Sequence, residues 1–570
     1  MNAERLLAHY HEIADAPDAI ARLRRFILDL AVRGKLVPQD AGDEPASELL
    51  KQIAKEKARL VMAGEIRKPK VFRELDEPPF DVPQNWRWTR IREVASDRGQ
   101  EIPQSTFTYI DVTAIDKEAG VVADPKVLEA SEAPSRARKV TRKGDVIYSC
   151  VRPYLLNVAV IETDFNPQPI ASTAFAILNG HGFVLSRYLW IVLRSPFMVE
   201  CVEENQRGQA YPAINDADFA VLPFPLPPLA EQHRIVAKVD ELMGLCDQLE
   251  AARGTREAVR DRLTAASLAR LNAPDPETFQ ADAQVALDTL PALTARPDQI
   301  KQLRQTILNL AVRGKLVPQE PSDEPASELL KRISSLPKPA RYEKRSVELI
   351  PGDCGLSIND PGTQLPKGWL WAPLVQIARL ESGHTPSRSR PDWWGGDVPW
   401  IGLVDARLHN NGTIFKTIQT TNKDGLANSA ARLLPKGTVC FSRTASVGYV
   451  VIMGQPMATS QDFVNWVPTG AISSTWLQLV MVAERPAIDR FSKGAVHQTI
   501  YYPAWLSMHI ALPPLAEQHR IVAKVDALMV LCDRLEASLT TAADTRRRLL
   551  DALLAEALAP AEERELEAAE

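Results

Sequence analysis

The chain has 570 residues, with 67 Lys and Arg against 72 Asp and Glu and a net charge of −5. Apolar residues at 45% and charged residues at 24% describe globular domains, about four at roughly 150 residues each. They exclude a disordered chain and a polycation that coats nucleic acid. No apolar run approaches the ~18 residues of a membrane helix, and the first residues lack a signal-peptide core. Cys150, Cys201, Cys246, Cys354, Cys440 and Cys532 are too scattered for a disulfide framework or a CxxC metal site. A cytoplasmic protein is expected.

In chain order, residues 22–53 begin with a helical spacing at Leu23, Ile27, Leu30 and Ala31, stopped by Gly34. Pro38 turns the chain out of helix, and DEPASELL starts a second one, with Pro45 suited to its first turn. The segment 83–228 then changes character. GDVIYSCVRP, NVAVIETD and STAFAILN read as strands, followed by helix over 186–204. After Pro227 and Pro228, apolar residues at Ile235, Val239, Leu242, Cys246 and Leu249 keep a 4-3-4-3 spacing, a heptad seam. A helix over 230–271 is expected, about 60 Å long at 1.5 Å per residue. Its natural partner is a second copy of itself, antiparallel.

That second copy is in the same chain. Residues 302–333 match 22–53 at 24 of 32 positions, and 512–537 match 226–251 at 23 of 26. The offsets, 280 and 286, indicate a duplicated half-protein rather than a solenoid. Between the copies, GTVCFSR, GYVVIMG and QDFVNWVP again read as strands, with helix over 474–491. KGDVIYS answers KGTVCFS, VPQNWRW answers LPKGWLW, and ASTAF answers ATSQDF. The expected fold class is therefore α+β. Two mixed α/β modules are joined by long antiparallel coiled-coil-like helices, with an internal pseudo-two-fold. The expected divisions are 1–77, 78–228, 229–350, 351–513 and 514–570, the second and fourth being the modules.

No catalytic constellation is legible. There is no GxxxxGK(S/T) phosphate loop and no HExxH pair. EPPF (77–80) only resembles an amino-methyltransferase tetrad: Glu77 fills its first position, no glycine-rich cofactor loop precedes it, and it reads as a proline-rich linker. His233 and His519 occupy one repeated position, EQHR, and read as helix-start packing or hydrogen-bonding residues. What remains is recognition. Residues 366–512 carry +5 and 83–228 carry −2, the latter including RARKVTRK (136–143). Groups suited to phosphates and base edges are Arg136, Lys139, Arg152, Tyr154, Arg207 and Gln209 in the first module. In the second they are Arg388, Arg443, Lys493, His497 and Gln498. GQAYPAI (208–214) and GAVHQTI (494–500) fall at equivalent places. No metal ligand and no catalytic residue is assigned.

LAVRGKLVPQ and LPPLAEQHRIVAKVD, each present twice around variable modules, resemble the specificity (S) subunit of type I restriction-modification enzymes. The resemblance spans essentially the whole chain, with Trp86, Trp88 and GHTP (383–386) at the borders of target recognition domains. It implies a non-catalytic subunit for phage defence, in which each target recognition domain reads one half of a bipartite, asymmetric double-stranded DNA site. It implies two modification subunits that carry S-adenosylmethionine and methylate adenine at N6. It also implies restriction subunits that use ATP and Mg. The conserved helices would be the spacer between half-sites, which dimeric DNA readers hold about one turn, roughly 34 Å, apart. The first module's −2 implies weak, salt-dependent binding by the isolated chain. Two rival readings are a pseudo-symmetric protein scaffold and a nuclease or methyltransferase with an unfamiliar site.

Overall fold

Gly34 and Gly314 take φ of +66° and +64°, and each ends a helix where a proline and a tryptophan press close. A side chain at Gly34 would meet Pro83 at 2.5 Å, and one at Gly314 would meet Pro366 at 2.5 Å. Only glycine suits both the turn and the approach. The repeated LAVRGKL is thus the joint at which a scaffold helix meets its module. The computed structural model describes residues 15–16, 18–66, 77–208, 211–272, 277–334, 365–486, 498–506 and 508–558. It divides into two units: residues up to Arg256 with those from Ala542 onward, and Glu257–Thr541.

In the first unit, α1 (Ala19–Val32) and α2 (Ala46–Met62) precede the module, and α3 (Leu229–Asn272) follows it, as far as Arg256 in this unit. The module opens and closes on one strap: Arg87–Arg90 pairs antiparallel with Pro223–Leu226. Between them lies a five-stranded sheet in the order 175–178, 146–149, 158–160, 121–122, 115–116. Its strands read as unbroken apolar runs because both faces are covered. Val146, Tyr148, Val158, Val160, Ala176 and Leu178 face a core that includes Ile27 and Ala31 of α1, Tyr188, and Ile235 and Val239 of α3. Ile147, Ala159, Phe175 and Ile177 face the opposite way, onto Ile110 and Ala171. Those two come from a four-stranded sheet in the order 126–128, 107–110, 169–172, 137–140. The helices expected over 186–204 are Ser186–Arg194 and Pro196–Asn205.

The second unit repeats this plan with α4 (Pro297–Val312), α5 (Ala326–Ser334) and α6 (Leu515–Leu558), the last as far as Thr541 in this unit. Its strap pairs Leu370–Pro373 with His509–Leu512. Val439, Phe441, Val450, Ile452, Val464 and Trp466 face the helical core. Cys440, Val451, Met453 and Phe463 face the other layer. The helix expected over 474–491 runs Ser474–Ala483, and residues 487–491 lie outside the described residues.

One expectation is narrowed. The near end of the seam, Ile235, Val239 and Cys246, packs into the core that contains Ile27, Leu28 and Ala31 of α1. Ile521, Val525 and Cys532 do the same with Ile300, Ile307 and Ala311 of α4. The physical reason is local supply, since each preceding helix already offers an apolar stripe at matching period. Arg24 on Asp247 and Glu250, and Arg304 on Asp533 and Glu536, flank the two seams in the same way. Further along, Leu550 and Leu553 pack with Ala16 and Ala19, while Leu268 and Leu271 pack with Ala286 and Leu293.

The repeated EQHR explains its own persistence. Glu231, 1% exposed, accepts from Trp86 Nε1 at 2.9 Å and from Gln39 Nε2 at 2.6 Å. Glu517 does the same with Trp369 at 3.0 Å and Gln319 at 3.1 Å. Burial raises both carboxyls above their ordinary range, against the hydrogen bonds that favour the charge. Gln232 and Gln518 accept from the backbone at the start of a module helix, Leu185 N at 3.0 Å and Ser473 N at 2.9 Å. Arg234 forks onto Asp43, and Arg520 onto Asp323, each with distances of 2.6 and 3.2 Å. His233 and His519, expected to pack or bond, are instead exposed, because the helix start turns its neighbours Glu and Gln inward.

Candidate nucleic-acid interface

The strand Val146–Ser149 runs out into a loop that Pro212, Ala213 and Ile214 clasp by backbone bonds. Ile214 N donates to Cys150 O at 3.0 Å, and Arg152 N donates to Pro212 O at 2.8 Å. Arg207 and Ala213 exchange both bonds, at 2.8 and 2.9 Å. Arg152 is left-handed, φ +50°, and leads into a short 3-10 turn, Pro153–Leu155, closed by left-handed Leu156 at φ +53°. This geometry exposes Arg152 and Tyr154, and the Arg152 guanidinium lies 5.0 Å from the ring centre of Tyr211. Arg207 is also exposed, but pairs with Asp218 at 3.0 Å.

The second module builds the same clasp from different residues. Ile500 N donates to Arg443 O at 2.9 Å, and Ala445 N donates to Gln498 O at 3.0 Å. Val151 bridges Ala213 in one module, and Thr444 bridges Thr499 in the other. Ala445 is left-handed at φ +63°, as Arg152 is. The third strand joins in both: Cys150 N donates to Ala174 O at 2.8 Å, and Arg443 N to Asp462 O at 2.7 Å. The backbone is shared and the display is not. Where the first module shows Arg152, Tyr154 and Tyr211, the second shows Ala445, Ser446, Gln498 and Tyr501.

The remaining expected residues fall into three groups. Arg136 is exposed on a turn, and Arg388 is exposed over Trp394 and Trp400 at 5.6 and 5.9 Å. Arg388 helps line a cleft of about 400 Å³ with Trp394, Gly395, Ile418, Gln419 and Thr420. Two others are corrected. Lys139 is 2% exposed and tied to Asp97 at 3.2 Å and Asp216 at 2.9 Å, so it clamps the small sheet to the helix Asp216–Ala220 rather than meeting phosphate. A basic run on a strand must send alternate residues inward, which the charge count alone conceals. Arg443 is half-buried, donates to Ile500 O at 3.4 Å and Gln461 O at 3.2 Å, and lies 4.8 Å from the Tyr502 ring centre. It anchors the clasp instead of standing at its tip. Gln209, Lys493 and His497 lie outside the described residues.

Tyr211, Ala445, Ser446 and Tyr501 were not singled out from the sequence. The signal that finds them is the pairing of the two loops, which places them opposite residues already chosen. Among the described residues, no group of three His, Cys, Asp or Glu is placed to hold a metal ion. Ser96 Oγ lies 2.5 Å from His181 Nε2, but Ser96 is 7% exposed and closed to a substrate. Phe80 of EPPF packs edge-on against Trp88 and Phe197 and accepts from Trp88 Nε1 at 3.0 Å through its carbonyl, as a structural lead-in to the strap. No described helix is long and apolar enough to cross a membrane.

Comparison with known proteins agrees with this architecture. The family model described as type I restriction modification DNA specificity domain matches residues 143–256 and 366–542. The type I restriction enzyme EcoAI specificity subunit of Escherichia coli is 31% identical over 94% of this chain and 93% of its own. The EcoEI specificity subunit of Escherichia coli is 30% identical over 95% and 94%. A solved structure described as "Structural basis underlying complex assembly and conformational transition of the type I R-M system" aligns with a TM-score of 0.51 and 25% identity, over 84% of this chain and 99% of that one. Similarity that runs the length of both chains, through scaffold and modules alike, means that this protein belongs to the specificity subunits of type I restriction enzymes, a recognition component that directs sequence-specific DNA binding rather than an enzyme.

Proposed function

We propose that each module reads one half of a bipartite, asymmetric site on double-stranded DNA through its clasped loops, and so directs adenine-N6 methylation or restriction by partner subunits. The modules are taken as 78–228 and 351–513. The observation that carries this reading is the clasp itself: one hydrogen-bonded frame, repeated, with a different set of side chains mounted on each copy. A constant frame fixes where a reading group stands, and divergent groups fit two different half-sites. The identical clamps at Glu231 and Glu517 support a pseudo-two-fold and two equivalent modification subunits. The two 44-residue helices, each about 66 Å at 1.5 Å per residue, are read as the spacer between half-sites.

The experiment is methylome sequencing of cells that express this chain with its cognate modification subunit. N6-methyladenine at one bipartite motif, absent when the chain is deleted, establishes the function and both half-sites together. Absence of any such motif, with both proteins folded and present, rejects the reading in favour of a scaffold.

A further inference from the structure

The tip of the first module carries more apolar surface than a base-reading loop requires. Tyr154 is 50% exposed, Tyr211 69%, Val151 40% and Leu155 38%, all on one clasp. Soluble surfaces seldom group such side chains without a partner. The tip is held rigidly. Pro153 is buried, Leu155 N donates to Arg152 O at 3.0 Å, Leu156 N donates to Pro153 O at 2.9 Å, and Ser149 Oγ donates to Val151 O at 2.8 Å. Beside it, the Arg152 guanidinium rests on Tyr211 and has no carboxylate partner among the described residues. A fixed apolar edge next to a free cation matches one kind of target, a stack of bases flanked by phosphates. A protein partner would satisfy the apolar edge but gives no reason for the open guanidinium.

We propose that Tyr154 and Leu155 form a wedge that enters a base step in the first half-site and unstacks it, with Arg152 on the adjoining phosphate. Wedges of this type kink the duplex and gain protein contact by doing so. At the matching tip of the second module stand Thr444, Ala445, Ser446 and Val447, of which only Val447 has apolar bulk and it packs on the helical core, so the distortion belongs to one half-site only. This inference rests on the DNA-reading function above.

The test uses the full chain with its modification subunit, on duplexes of the methylated motif carrying 2-aminopurine at successive positions outside the target adenines. Binding is expected to raise fluorescence at one step in the first half-site and at none in the second. Tyr154→Ser with Leu155→Ser should abolish that rise, while Tyr154→Phe, which keeps the ring, should retain it. Both side chains are exposed, so circular dichroism should match the parent. A rise that survives the double substitution overturns the wedge. So does methylation of the motif with no rise in the parent complex, which leaves the reading function intact. Loss of all sequence-specific methylation in the parent complex refutes the underlying function instead.

Discussion

Glu231→Ala isolates the clamp that joins scaffold to module. The carboxylate, buried in the first turn of α3, holds the Trp86 indole at 2.9 Å and the Gln39 amide at 2.6 Å. Truncation leaves the indole N–H buried without an acceptor, a cost of about 1–3 kcal/mol. Gln39 is exposed and recovers water, so it adds little. Against this, removal of a carboxylate whose pKa burial has raised relieves an unfavourable desolvation. The net is about 2 kcal/mol, or roughly 4 °C in a unit of this size, where about 2 °C accompanies each kcal/mol. Glu231→Gln keeps an oxygen for Trp86 and should lose about half as much. Scanning calorimetry should show the first unit's transition fall while the second holds, and Glu517→Ala should do the reverse. A loss under about 0.5 kcal/mol, the range of ordinary surface changes, would refute the clamp.

Lys139→Met should destabilise the first unit, and the deficit should depend on pH. The Asp97 carboxyl, opposed by burial but held by Lys139, lies below its ordinary 3.8, so its contribution is present above 3.8 and lost as pH falls through the lower folded value. Lys139, opposed by burial but held by Asp216 and Asp97, lies above 10.5, so its contribution is present below 10.5 and lost as pH rises through the higher folded value. The gap between parent and variant in urea melts should therefore be widest between those limits, and a constant gap down to pH 2 would contradict the pairing. Arg152→Ala should weaken methylation about equally across sequences and lower the salt dependence of binding by about one phosphate's worth, as a phosphate contact does. Relaxation of one base position in the first half-site would instead make it a base reader. Arg443→Ala should impair the whole second half-site, since it anchors Gln461 and Ile500, whereas loss of one base position would restore it as a reader.

Periodicity carried the scaffold. Leu23, Ile27 and Ala31 lie at helical spacing on a face that is buried, and the long helix expected over 230–271 runs Leu229–Asn272. The strands were legible for a different reason. The run VIY is apolar throughout because Val146 and Tyr148 face one core and Ile147 faces another, a burial that leaves no polar alternation. Two features were not legible. The heptad seam states that a helix has an apolar stripe, not which stripe covers it; at Ile235, Val239 and Cys246 it is that of α1, and at Ile521, Val525 and Cys532 that of α4. The inward side of a basic strand is equally silent, since RARKVTRK gives Lys139 the same charge as its neighbour Arg138 while the pleat buries the first and leaves the second half-buried.

The recognition surface is the hardest part to read because what is constant there is not a side chain. Arg152 and Ala445 share a left-handed φ, and the loops beside them share a ladder of backbone bonds, yet the two positions hold residues with nothing chemical in common. At such a site the backbone sets the frame and the side chains are left to meet the target. A residue-type search therefore finds Arg152 and passes over Ala445, although the two stand in one place. Arg443 shows the converse case, a residue of the right type whose guanidinium is also bonded to the frame. Duplication within one chain is what makes the distinction visible. Wherever both copies make the same bond with different side chains, the bond belongs to the scaffold, and the side chain is left free to specify.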